Sequence, residues 1–188
     1  RLYKKYQWLL YGNLVTAYAM LVAFPIEGYG LYSIIFSTAS IFVSYIFAVL
    51  LWRDLNRLPQ KSPTHLWLKA AVFFNAFSSL GAFALTIMMV ERVVFQNAYL
   101  AAEYFYLHFQ YNGWFFFGCM GLLSEVLRKV ETDPKILRQM FWLFVCAAVP
   151  AYFLSALWMD LPVWVYILVV LSAVAQVIGW GKMLLQIK

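Results

Sequence analysis

The chain has 188 residues, of which 65% are hydrophobic and only 12% charged. A soluble domain would carry roughly twice that share of charge, so a water-soluble globular fold is excluded. A nucleic-acid partner is excluded with it, because a basic stripe for DNA needs an exposed aqueous face; the net charge of +6 suits an anionic inner leaflet instead.

Six apolar runs approach the roughly 20 residues that a hydrocarbon core requires. They fall at about 8–25, 31–52, 67–90, 100–124, 138–159 and 162–181. The expected fold is therefore all-α, a single six-helix transmembrane bundle over the whole chain, with lipid as its surroundings. Basic residues alternate between connections. Arg1, Lys4 and Lys5 precede the first run; Arg53, Arg57, Lys61 and Lys69 follow the second; Arg128, Lys129, Lys135 and Arg138 follow the fourth; Lys182 and Lys188 end the chain. The other connections hold Glu27, Glu91, Glu103 and Asp160 against Arg92 alone. Short loops rich in Lys and Arg stay cytoplasmic, which predicts both termini inside and an inner (plasma) membrane location. The chain opens at Arg1, so it reads either as lacking its native N-terminus or as an excerpt of a longer membrane protein. Its first run is too long for a cleavable signal and no small-residue cleavage site follows.

In chain order, Asn13 in helix one needs a partner within the membrane and reads as glue between helices. Pro25 and Gly28 are expected to end that helix in a tight external hairpin. The hydroxyls of helix two, among them Ser37, Ser40 and Ser44, can bond back to their own backbone. His65 beside Trp67 reads as an ordinary surface histidine. Helix three gathers Asn75, Ser78, Ser79 and Gly81 near its middle, where small residues let backbones approach. Past helix four, Glu125 and Lys129 are spaced for an i,i+4 pair. Asp133–Pro134 reads as an N-cap followed by proline at the first helical position, so helices four and five should extend beyond the bilayer as a short hairpin. Ala175 and Gly179 give helix six a small-residue face. Cys119 and Cys146 fall inside helices and read as buried small hydrophobes.

Helix four carries the densest polar run, from Glu103 through His108, Gln110 and Asn112. Such residues inside a membrane are costly and mark a functional-site hypothesis. His108 lies about 12 Å in from the outer end at 1.5 Å per residue. With α-helical spacing, His108, Asn112, Phe115 and Cys119 share one stripe. Asn112 could orient the imidazole, Glu103 could exchange protons near the surface, and Gly113 admits a neighbouring helix or a flat cofactor. A neutral imidazole nitrogen suits a metal or haem iron, and it also suits a proton relay or a hydrogen bond to a quinone. Against these stands the reading of His108 as a satisfied interhelical hydrogen-bonder, with Gln110 and Asn112 fixing register. Phosphate loops, His-Glu-x-x-His and paired-cysteine motifs are absent from the sequence.

The string His108–Phe109–Gln110–Tyr111–Asn112–Gly113–Trp114 resembles a signature of uncharacterised bacterial polytopic membrane proteins that are distantly similar to haem–copper oxidase catalytic subunits. That resemblance implies His108 as a haem or copper ligand, with Asn112 beside it, in respiratory or nitrogen-oxide chemistry. Such subunits have roughly twice as many helices and several more histidine ligands, so the likeness implies partner segments elsewhere or a scaffold without the cofactors. The leading expectation is a component of a haem/copper-related redox system with haem, copper or quinone at His108. A second is a solute transporter or channel subunit, with a polar path through Asn13, Asn75, Glu103, His108, Gln110 and Asn112. A third is a non-catalytic assembly subunit. All three expect other membrane subunits or an oligomer as partners.

Overall fold

A computed structural model of the protein describes residues 2–59, 62–92, 95–130 and 132–186, and every regular element among them is helical. In order these are α1 (Leu2–Glu27), α2 (Leu31–Arg57), α3 (Pro63–Val90), α4 (Gln96–His108), a π-helical segment (Phe109–Phe115), α5 (Phe116–Lys129), α6 (Pro134–Ala151), a 3-10 turn (Tyr152–Ala156) and α7 (Val163–Leu184). Five rods are long and apolar enough to cross a membrane: α1, α2, α3, α6 with its 3-10 continuation, and α7. This is the make-up of a membrane protein. The remaining predicted span is divided. α4 and α5 have 13 and 14 residues, and the π segment joins them without a non-helical residue between.

The helix ends follow local chemistry. Gly28 adopts φ +61° and its N–H donates to the Phe24 carbonyl at 2.9 Å. This is the left-handed exit that glycine allows without a Cβ penalty. Pro25 does not end the helix as the sequence reading expected; it is carried inside the final turn. The Glu27 carboxylate then accepts from the Ser33 N–H at 2.7 Å, which satisfies a free amide in the first turn of α2. At the start of α3, Ser62 and His65 form a reciprocal capping box. Asp133 caps α6 by accepting from Lys135 N–H at 2.8 Å, ahead of Pro134. Glu125 pairs with Arg128 at 2.6 Å, one residue short of the expected Lys129, and also accepts from Thr64 Oγ1 at 3.2 Å.

α3 is the central rod. It packs on α2, on the α4–π–α5 rod and on α6, while α1 leans on α2 and α7 on α6. The core joins Trp67 and Phe74 of α3 to Phe109 of the π segment, Phe117 and Met120 of α5, and Phe141 and Phe144 of α6. Gly179 performs the close approach expected of it: a Cβ there would lie 2.8 Å from the Phe144 ring. The two cysteines depart from expectation. Cys119 and Cys146 are free thiols on the outside of the rods, away from the core.

Candidate functional site

The polar run of the fourth rod is built around the π segment. An α-helix turns 100° per residue, so each step of four residues overshoots its face by about 40°. Phe109, Gly113 and Phe117 nevertheless all face inward and are buried. The wider π turns absorb the drift and hold residues four apart on one face. Phe109 stacks on Phe74, with ring centroids 5.6 Å apart. Gly113 lets α3 come in close: a Cβ at that position would meet the Cβ of Phe74 at 2.6 Å. The neighbour that this glycine admits is therefore a helix.

The same wider turns place His108, Asn112 and Phe116 along the adjacent face, toward α6 and α7. Phe115 and Cys119, expected on the His108 stripe, turn outward instead. His108 is buried. Its Nε2–H donates to the Ala148 carbonyl at 2.9 Å, and its Nδ1 accepts from the Asn112 amide at 3.3 Å. A carbonyl can only accept, so the proton sits on Nε2 and the ring is neutral with its lone pair turned to the Asn112 amide. The carbonyl is presented by a local irregularity of α6. Pro150 has no N–H to continue the ladder, and the Tyr152 N–H turns to Val149, three residues back. The helix tightens there into the 3-10 turn, and Tyr152 OH donates to the Ala101 carbonyl at 2.9 Å, tying the turn to α4.

Beside the imidazole lies a cavity of about 390 Å³. His108 and Asn112 line one side, with Ser155 of the 3-10 turn and Gln176 and Trp180 of α7 opposite and aromatic Phe116 and Phe144 at its walls. Its size falls within the roughly 300–1,000 Å³ common for small-molecule sites. Ser155, Gln176 and Trp180 were not read as site residues. The available signal is Gln176, the sole amide of α7.

The other polar residues go elsewhere. Gln110 Nε2 donates to Asn75 Oδ1 at 3.1 Å and to Ser78 Oγ at 2.8 Å, forming a cluster in the seam between α3 and the fourth rod. Ser78, with no solvent exposure, passes its own proton to the Asn75 carbonyl at 2.7 Å. Asn13 lies on α1 and accepts from Ser40 of α2 at 3.4 Å. Glu103 is exposed on α4. The structure thus joins His108 to Asn112 and Gln110 to Asn75, and leaves Glu103 and Asn13 apart from both pairs.

His108 offers no bare nitrogen to a metal or haem iron in this arrangement, because one nitrogen donates and the other accepts. Among the described residues no group of three His, Cys, Asp or Glu side chains converges as a ligand set. Around His108 the described side chains thus form no ligand set of their own. They fit a neutral ligand lying beside the imidazole and able to exchange hydrogen bonds with two amides, a hydroxyl and an indole. No protein-family model, curated protein or solved structure matches the chain.

Proposed function

We propose that the protein is a subunit of a membrane redox system, crossing an inner membrane six times with both termini cytoplasmic, and that it holds a quinone-class molecule beside His108. The observation that carries this reading is the cavity of about 390 Å³ bounded by His108, Asn112, Ser155, Gln176 and Trp180. A quinone is lipid-soluble and flat, with carbonyl oxygens that accept hydrogen bonds. The Gln176 amide and the Asn112 amide can donate to such oxygens, and Phe116, Phe144 and Trp180 supply aromatic walls. The continuous helical rod from Gln96 to Lys129 supports counting the fourth span, and the alternating basic connections support the orientation. The resemblance of residues 108–114 to bacterial membrane proteins distantly similar to haem–copper catalytic subunits suits a respiratory setting. A transport path is less well supported, because its polar residues separate into distinct places.

The test is organic extraction of the detergent-purified protein with mass spectrometry for quinones, followed by titration with a short-chain ubiquinone read by tryptophan fluorescence. Stoichiometric quinone in the extract, and saturable quenching that weakens in His108→Ala and Gln176→Ala, is the expected result. Quenching that is linear in quinone and identical in both variants is partitioning into the micelle, and it would remove the proposal. Orientation is tested separately by impermeant thiol labelling of Tyr29→Cys and Lys129→Cys in sealed cells, with only the former expected to react.

A further inference from the structure

A second cavity, of about 370 Å³, lies where α2 ends and α3 and α6 begin. Its lining is divided in character. Leu55 and Leu66 give it apolar lining, and Lys69, Lys135 and Arg138 give it cationic lining, together with Ser62 and His65. Lys69 comes from α3, and Lys135 and Arg138 come from the first turns of α6, so the charges are brought together by tertiary packing.

Like charges gathered on one cavity repel unless something answers them. The described acids of this end are occupied elsewhere. Asp54 is held by Lys5 at 2.5 Å and by Tyr6 at 2.6 Å. Glu125 is held by Arg128 and Thr64, and Asp133 spends its carboxylate on the Lys135 backbone. Lys69 is steadied by neutral groups only: its Nζ donates to Asn56 Oδ1 at 2.6 Å and stands 5.2 Å from the Trp52 ring centroid. Among the described residues no carboxylate pairs with Lys69, Lys135 or Arg138.

We propose that this cavity binds a phosphate group, and that the phosphate belongs to the headgroup of an anionic phospholipid. Three cations converge on one cavity, which suits a phosphate. The apolar lining formed by Leu55 and Leu66 has no use for an inorganic ion, but it suits the glycerol and first methylenes of a lipid. Basic pockets between helices at the cytoplasmic face bind anionic headgroups by this combination. The proposal rests on the membrane reading and orientation above only for the source of the phosphate; it does not depend on the quinone site.

The experiment is native mass spectrometry of the full chain released from nanodiscs containing equal phosphatidylglycerol and phosphatidylcholine. Retained phosphatidylglycerol should exceed phosphatidylcholine, and Lys135→Gln/Arg138→Gln should lower that preference about tenfold. Both of these side chains are exposed, so the variant is expected to keep its fold. Lys69→Gln is the second variant, expected to act in the same direction. Lys129→Gln, which removes a charge at the same end but outside the cavity, should leave the preference intact. Equal retention of the two lipids would overturn the proposal, as would an equal fall in Lys129→Gln, which would mean diffuse surface charge. Displacement of the lipid by inorganic phosphate at matched concentration would assign the site to a soluble phosphate and overturn the lipid assignment.

Discussion

Two polar residues of the fourth rod, His108 and Gln110, two apart in sequence, have opposite settings. Gln110 points into the seam with α3 and gives both its amide protons to Asn75 and Ser78. His108 points toward α6 and is equally satisfied, through Ala148 and Asn112, yet it borders an open volume. Hydrogen-bond satisfaction therefore does not separate a packing residue from a ligand-facing one. In a bilayer every polar group must find a partner whatever its role. What separates the pairs is the space beside them, which is lined by Asn112 of the π segment and by Ser155 of the 3-10 turn that follows Pro150.

The most damaging way to break this contrast is to straighten or displace the π segment. Gly113→Leu forces a side chain onto the Phe74 Cβ, which an alanine Cβ would already meet at 2.6 Å. Overpacking of this kind costs about 1–3 kcal/mol or more. Thermal unfolding in detergent should show the largest loss of any single change here, together with loss of quinone binding. An unchanged melting temperature would mean that the α3 contact is not needed.

The next comparison separates the two pairs directly. Gln110→Leu should destabilise by about 1 kcal/mol, the usual scale of an interhelical hydrogen bond in a membrane, because Asn75 and Ser78 lose a shared donor. Quinone affinity should be unaffected. Asn112→Leu should show the reverse, with little loss of stability at its exposed position and clearly weakened quinone binding. If both variants lose stability and neither loses binding, the two pairs do one job, and the His108 face is packing as well.

Much of this was legible in the sequence. Hydropathy located each rod, and Gly28, Asp133 and Gly179 do what their positions foretold. The π segment departs from the α-helical spacing that the polar run of helix four predicts. Its trace was available in Phe105, Phe109, Gly113 and Phe117, four bulky or small residues at strict four-residue steps over a length in which an α-helix would drift off the face. The His108 acceptor was also hidden. A backbone carbonyl such as that of Ala148 carries no side-chain signature, and only Pro150 hints that the ladder beyond it is disturbed. Ser155, Gln176 and Trp180 reach the cavity through tertiary packing of α7 on α6, which periodicity within one helix cannot reveal. Cys119 and Cys146 are exposed although Cys is commonly buried, because a membrane rod can turn a thiol outward at no hydration cost.

The smallest expected effect supplies the aqueous reference for the other pairs. Glu125 lies past the proposed fourth span, and the Arg128 guanidinium, bonded at 2.6 Å and 3.1 Å, lowers its carboxyl from 4.5 to about 2. A depressed carboxylate contributes stability that is fully present above pH 4.5, begins to fade as pH falls below it, and is lost on passing about 2. Wild-type and Glu125→Gln proteins should therefore differ modestly at neutral pH and converge as pH falls through that window. The difference should be small because water competes for both partners of an exposed ion pair. A Glu125 effect as large as that of Gln110 would mean that this end of the rod is shielded from water, and the fourth span would then have to extend past Ser124.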